Sequence, residues 1–246
     1  KTVLASMDRR DSSSSDGYVI VNGEYNGPAE PNKPASELRQ EPFPLPDQFE
    51  WSDVDVTNED QLSELYNFLT ENYVEDDDNM FRFDYSRECL AWALTAPGWL
   101  KTWHCGVRAK QGGQLIAFIS AVPQTLRVYG EETKVAVISF LCTHKQHRGK
   151  RLTPVLIDEL TRRANLQGIF QAAYTSGIDR EGQLAVCRYY HRSLNPKKLI
   201  ECRFSYLGAG TTMESTIQLY SLPDAVKTQG FRPLHLQDVP QACALL

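Results

Sequence analysis

A run of β-branched and apolar residues, Val135-Ala136-Val137-Ile138-Ser139-Phe140-Leu141-Cys142, passes through a cationic loop straight into an amphipathic helix. No other stretch constrains the fold as much. The run reads as a strand buried on both faces. Residues 144–151 carry Lys145, Arg148, Lys150 and Arg151 around Gly149. Thr153 followed by Pro154 reads as an N-cap and a first-turn proline. Beyond it Leu152, Val155, Leu156, Leu160 and Ala164 fall on one helical face. Asp158 with Arg162 and Glu159 with Arg163 have the i,i+4 spacing of ion pairs, and Gly168 stands where a left-handed C′ residue ends a helix. A helix N-terminus, loop amides and clustered cations favour an anion, and a pyrophosphate fits. The same residues also suit a solvated loop, or a patch for nucleic acid or anionic lipid.

A length of 246 residues allows one large domain or one and a half ordinary ones. The net charge of −5 disfavours general nucleic-acid binding, so any basic site must be local. No apolar run approaches the ~20 residues of a membrane span. The six cysteines contain no C-x-x-C pair, which fits reduced thiols in a cytosolic protein. Neither they nor the five histidines have zinc spacing, so no metal is expected. Cys142 reads as a plain buried thiol rather than a nucleophile.

Residues 1–40 read as a flexible amino-terminal segment, with a serine run at 12–15, Gly27-Pro28 and further prolines at 31 and 34, in which residues 18–21 suit either a short strand or an adhesive segment. Glu41-Pro42-Phe43-Pro44-Leu45-Pro46 is extended and lies along a folded surface. Residues 49–56 alternate as a strand. Thr57 or Asn58 caps a helix with Leu62, Leu65, Tyr66 and Leu69 on its apolar face. Then come four consecutive carboxylates, Glu75 to Asp78, beside Phe81 and Phe83. They suit a solvated loop tip, or a site for a cationic partner such as a peptide amino terminus. Ser86 caps a short helix holding Leu90, Trp92, Ala93 and Leu94. Strands follow at 103–108, 115–122 with a continuation to 129, and 169–175, Pro123 marking a bend or bulge. Tyr189, Tyr190 and His191 suit a pocket wall, although His191 has no carboxylate nearby in sequence and suits a structural histidine equally. Residues 231–246 repeat the strand-then-helix pattern of residues 49–69, as a duplication would.

This order of elements fits an α/β fold with a mixed sheet, the GNAT acyl-CoA transferase fold, in which a loop after the central strand holds a pyrophosphate. Arg148-Gly149-Lys150-Arg151-Leu152-Thr153 matches that loop's Gln/Arg-x-x-Gly-x-Gly/Ala pattern in part, with Arg151 and Thr153 where small residues are usual. Domains are expected at 41–222, the first GNAT-like repeat, and 223–246, the truncated start of a second.

Three long strings are more specific. They are Glu71-Asn72-Tyr73-Val74-Glu75-Asp76-Asp77-Asp78-Asn79-Met80-Phe81-Arg82-Phe83-Asp84-Tyr85, Phe140-Leu141-Cys142 with the loop and helix at 144–156, and His191-Arg192-Ser193-Leu194-Asn195-Pro196-Lys197-Lys198-Leu199-Ile200. Through them the chain, from about residue 39 to 246, resembles the amino-terminal half of the eukaryotic glycylpeptide N-tetradecanoyltransferase (N-myristoyltransferase) family. The resemblance implies two GNAT-like repeats and transfer of a myristoyl group from myristoyl-CoA to a protein's amino-terminal glycine. By position it implies that Phe140 and Leu141 offer the backbone oxyanion hole. Cys142 and Thr143 continue the acyl-CoA contact, and Arg148, Gly149, Lys150, Arg151, Leu152 and Thr153 cradle the CoA phosphates. It further implies that Tyr73, Val74, Asp76, Asp78, Phe81, Arg82, Phe83 and Tyr85 border the peptide groove, with Thr175, Gly177, Tyr189 and His191 near the glycine and the peptide. Its other implications are glycine-starting client peptides as partners, no nucleic acid, no metal, a cytoplasmic monomer in lipoprotein biosynthesis, and contact with membrane or ribosome that is at most peripheral.

An amine attacking a thioester builds charge on oxygen, and each preorganised N–H that meets it contributes about 3 kcal/mol. Two rival functions stay open: a short-chain acetyltransferase, and a non-catalytic acyl-CoA or protein-binding module. A third rival, membrane-surface binding by the cationic loop, would be salt-sensitive. The family's Phe-Trp-x-Thr-Gln-Pro segment has no counterpart in residues 1–25, and its general base is a terminal carboxylate carried by the second repeat. The 246 residues alone are therefore expected to be inactive or nearly so. Myristoylation of a glycine-starting peptide by the purified chain would refute that expectation.

Overall fold

β-Branched and aromatic runs between Phe49 and Thr175 pair into the sheet that carries the first part of the chain. The computed structural model describes residues 2–6, 19–21, 24–26, 32–74, 82–128, 131–176 and 185–245. Contacts divide the chain into two units, Lys1–Arg188 and Tyr189–Leu246. The first unit holds β1 (Thr2–Ser6), β2 (Val19–Val21), β3 (Glu24–Asn26), β4 (Phe49–Asp53), α1 (Glu59–Asn72), α2 (Arg87–Leu94), β5 (His104–Ala109), β6 (Leu115–Val128), β7 (Glu131–Thr143), α3 (Leu152–Asn165) and β8 (Gln171–Thr175). Six strands form a mixed sheet in the order β1-β8-β7-β6-β5-β4, and β2 with β3 makes a separate hairpin. Among the described strands β7 and β8 are the parallel pair, joined through α3 as a parallel crossover requires.

Each helix starts where its cap chemistry allows. The Asn58 side chain accepts from the Asp60 and Gln61 N–H groups and opens α1. Leu62, Leu65, Phe68 and Leu69 then face the sheet. The Ser86 hydroxyl accepts from Cys89 N–H and opens α2, which buries Leu90 and Leu94. Trp92 of the same helix is 78% exposed. It sits two positions from each leucine and so points the opposite way. The expected cap of α3 shifts: the N-cap is Arg151, at φ 58, and Thr153 and Pro154 lie inside the first turn. Proline is tolerated there because the first four helical N–H groups have no intrahelical acceptor. At the other end Gly168, at φ 74, donates to Asn165 O while Ile169 donates to Ala164 O, a Schellman ending.

The sheet is covered on both faces. On one, Leu152, Leu156, Leu160 and Ala164 of α3 pack with Trp103, Val107 and Ile119. On the other, Leu65, Leu69, Leu90 and Leu94 of α1 and α2 pack with Phe118, Phe140 and Cys142. Pro123 makes no bulge against β7, since β6 runs through it and pairs it in register with Ala136. Pairing of β6 with β5 ends at Ser120, so Pro123 lies on an edge where a missing N–H is tolerated. In the second unit lie α4 (Pro196–Glu201), α5 (Met213–Leu219) and α6 (Val239–Leu245). The strand expected from 231 is not formed there; an irregular segment leads to a short 3-10 turn at Leu236–Asp238, where Arg232 pairs with Asp238.

The proline segment is fastened to α3 by a buried carboxylate. Glu159 is fully buried. It accepts from Arg162 at 2.6 and 2.9 Å, from Arg163 at 2.8 Å and from the Phe43 N–H at 3.0 Å. Arg162 also reaches Gln40 O at 2.7 Å, and Trp51 Nε1 donates to Phe43 O at 2.7 Å. Burial pushes the Glu159 carboxyl up, but the arginines and the Phe43 amide outweigh it and hold its pKa below the usual 4.5. Breaking such a buried cluster costs about 3–5 kcal/mol. We expect Glu159→Ala to lose that much in urea denaturation. A depressed folded pKa contributes stability above pH 4.5 that is lost as pH falls through the folded value. Glu159→Gln should therefore flatten the acid limb of the stability profile.

Candidate functional site

The register between β6 and β7 slips by one residue in the middle of the sheet. Phe118 pairs with Cys142 and Ser120 with Ser139, so Phe140 and Leu141 together stand opposite Ile119. This is a β-bulge, with the extra residue in β7. Phe140 takes φ 53, a left-handed conformation that costs a non-glycine residue roughly 1–2 kcal/mol. On its other edge β7 pairs with β8 only through Val135–Val137. The two parallel strands thus part just before the bulge, and the Phe140 and Leu141 amides fall outside both registers. Beneath them the Ser120 hydroxyl donates to Ser139 O at 2.9 Å.

An aromatic wall stands over the bulge. Tyr73 and Tyr85 place their rings 6.0 and 5.3 Å from that of Phe140, and Phe83 stacks on Tyr85 at 6.0 Å. The backbone sets this up: Phe83 N–H donates to Val74 O at 3.0 Å, and Arg82 Nη1 donates to Thr70 O at 2.7 Å. Burial raises the Tyr73 pKa, aided by Tyr85 and Cys142, against a main-chain hydrogen bond from Phe140 that draws it down.

The cationic loop follows directly. A 3-10 turn spans Lys145–His147, and Gly149 and Arg151, at φ 77 and 58, turn the chain into α3. His144 N–H donates to Ile116 O at 2.8 Å, and Thr143 and Thr153 hydroxyls meet at 3.3 Å across the loop. Lys150 and Arg151 are exposed, whereas the Leu152 side chain is in the core. Burial, with Lys150 and His144 nearby, holds the His147 pKa below its usual value.

The structure thus brings Tyr73, Arg82, Phe83 and Tyr85 to the bulge, with residues 143–153 beside it. Val74 is half-exposed at their edge and Thr175 ends β8. Asp76, Asp78, Phe81 and Gly177 lie outside the described residues. Tyr189 and His191 are exposed and belong to the second unit. Sequence reasoning missed Asn72. This buried residue donates to Phe68 O at 2.9 Å and accepts from the Lys145 N–H at 3.0 Å. Arg148 donates to the Asn72 carbonyl and, at 3.4 Å, to Thr143 O. Only its position, last in a helix and next to Tyr73, could have drawn attention to it. Among the described residues no His, Cys, Asp or Glu group could hold a metal, and no helix is long and apolar enough to cross a membrane.

Burial pushes the Cys142 thiol up to about 12, against a small pull from Arg148, and burial does the same to Cys105. Neither is a thiolate near neutrality. Iodoacetamide at pH 8 should therefore modify exposed Cys187, Cys202 and Cys243 well before Cys105 or Cys142. Peptide mass spectrometry reads the order, and early labelling of Cys142 would contradict it.

Comparison with known proteins follows the same lines. The family model described as "Myristoyl-CoA:protein N-myristoyltransferase, N-terminal domain" matches residues 28–187, and its "C-terminal domain" counterpart matches residues 201–246. A probable glycylpeptide N-tetradecanoyltransferase of Caenorhabditis elegans is 55% identical over 226 residues, 92% of this chain and 50% of the relative. Glycylpeptide N-tetradecanoyltransferase 1 of Arabidopsis thaliana is 55% identical over 220 residues, 89% of this chain and 51% of the relative. The crystal structure of Saccharomyces cerevisiae N-myristoyltransferase with bound myristoyl-CoA superposes with a TM-score of 0.84 at 45% identity, covering 96% of this chain and 54% of the yeast one. The chain spans about half the length of the curated relatives it matches.

Proposed function

This chain belongs to the myristoyl-CoA:protein N-myristoyltransferase family, and from that premise we propose that it serves transfer of a tetradecanoyl group from myristoyl-CoA to the amino-terminal glycine of client proteins. The observation that carries the proposal is the bulge. It sets Phe140 and Leu141 together against Ile119, past the last residue of β7 that pairs with β8 and next to a cationic helix N-terminus. The thioester carbonyl sits against the Phe140 and Leu141 amides. The neutral amine attacks, a C–N bond forms, the C–S bond breaks and CoA leaves as the thiol. Two fixed N–H donors stabilise the oxyanion, each contributing about 3 kcal/mol. Cys142, a protonated buried thiol, lines the site and with Thr143 continues the acyl-CoA contact.

The CoA phosphates meet the main chain of Gly149, Lys150, Arg151, Leu152 and Thr153, where loop amides and the α3 dipole favour negative charge. The acyl chain enters where β7 and β8 separate. Tyr73, Val74, Arg82, Phe83 and Tyr85 border the peptide. Asp76, Asp78 and Phe81 serve the peptide too, the carboxylates by attracting its ammonium, and Thr175, Gly177, Tyr189 and His191 serve the glycine and the residues after it. Residues 41–222 form the acyl-CoA repeat in this scheme, and residues 223–246 open the next. The protein works in the cytoplasm as a monomer, in lipoprotein biosynthesis, touching membrane or ribosome peripherally at most.

Acyl length is the test. A buried methylene is worth about 0.8 kcal/mol, so dodecanoyl-CoA should bind roughly fifteenfold more weakly than myristoyl-CoA. Calorimetric titration of the chain with the two, and with acetyl-CoA, measures this. Equal affinities, or a preference for acetyl-CoA, would overturn the proposal.

A further inference from the structure

Two arginines from opposite sides of the site end on one helix turn. Arg82, from the aromatic segment, donates to Thr70 O at 2.7 Å. Arg148, from the cationic loop, donates to Asn72 O. Both carbonyls belong to the last turn of α1, where the helix dipole leaves about half a negative charge and the carbonyls lack helical donors. The Asn72 side chain completes the junction. Its amide holds Phe68 O at 2.9 Å, and its oxygen takes the Lys145 N–H at 3.0 Å. Asn72 is 3% exposed, so each bond is costly to lose. The next residue, Tyr73, carries the ring that packs 6.0 Å from Phe140.

We infer that Asn72 and Arg148 are positioning residues, which hold the cationic loop and the aromatic wall on a common anchor, and that Arg148 is not a phosphate ligand. The inference rests on the acyl-CoA function proposed above. Arg148 directs Nη2 and Nε back to Asn72 O and Thr143 O, toward α1 and the end of β7. Lys150 and Arg151 lie past Gly149, exposed at the first turn of α3, where a diphosphate meets both side-chain charge and main-chain amides. Charge near the phosphates therefore comes from Lys150 and Arg151, and geometry from Arg148 and Asn72. A lysine at 148 keeps the charge but loses the planar fork that reaches two carbonyls at once.

Two ligands separate the roles. S-myristoyl-CoA carries the phosphates, and S-myristoyl-pantetheine carries the same acyl thioester without them. Titration calorimetry of the full chain with each should show Lys150→Ala weakening myristoyl-CoA by about tenfold and leaving the pantetheine ester unchanged, the size of one charge-assisted hydrogen bond. Arg148→Ala and Arg148→Lys should weaken both ligands by the same factor, about three- to tenfold. Asn72→Ala should do likewise, and Asn72→Asp, which keeps the acceptor for Lys145 N–H, should recover most of the loss. Hydrogen exchange adds a second readout: Arg148→Lys should speed exchange at residues 82–85 and leave α3 protected. A loss confined to myristoyl-CoA on changing Arg148 would make it a phosphate ligand and overturn the inference. So would unchanged binding of both ligands, or unchanged exchange at residues 82–85. If the unaltered chain binds neither thioester, the acyl-CoA function fails first and the inference falls with it.

Discussion

One additional residue in β7 is the constraint on which the rest depends. In a regular antiparallel ladder each inward N–H is matched by a carbonyl on the neighbouring strand. Setting Phe140 and Leu141 against Ile119 alone breaks that match between β6 and β7. The left-handed Phe140 backbone is unfavourable by itself. It persists because its ring is buried among Tyr73, Tyr85, Phe118 and the leucines of α1 and α2. A bulge packed this closely on one face is held to a single arrangement.

The sheet then acts as a divider. α3 fills one face and presents its N-terminus at the end of β7, while α1 and α2 fill the other and present an aromatic wall at the same place. Polar groups fix these layers against sliding. Glu159 gathers Arg162, Arg163 and the Phe43 amide, and Asn72 gathers Phe68 O and the Lys145 amide. Buried polar clusters of this type add less to stability than their bond count suggests, but each admits a single arrangement once every partner is in place.

Sequence periodicity identified α1, α3, the antiparallel strands and the central strand because each buries one face or both. Gly168 was legible as a helix ending because an ending of that type requires a left-handed residue. Thr153 was mistaken for a cap because its composition suits one, while the chain reached α3 through Arg151 at φ 58. Pro123 drew the expected irregularity to the wrong position, since the register slips at Ile116 of β6, against β5, and at Phe140–Leu141 of β7. The strand expected from 231 did not form: alternation over a few residues is weak evidence without a partner strand.

By itself the sequence determined that a buried strand runs into a cationic helix start, and that aromatic residues follow a helix ending at Asn72. Those are properties of neighbours along the chain, set by local sterics, burial and charge. Only the tertiary structure decided that Phe140 and Leu141 share one partner, that β7 and β8 separate just before them, and that Arg82 and Arg148 end on the same turn of α1. Register and convergence depend on contacts between segments far apart in sequence, and no local pattern encodes a single-residue slip between two strands.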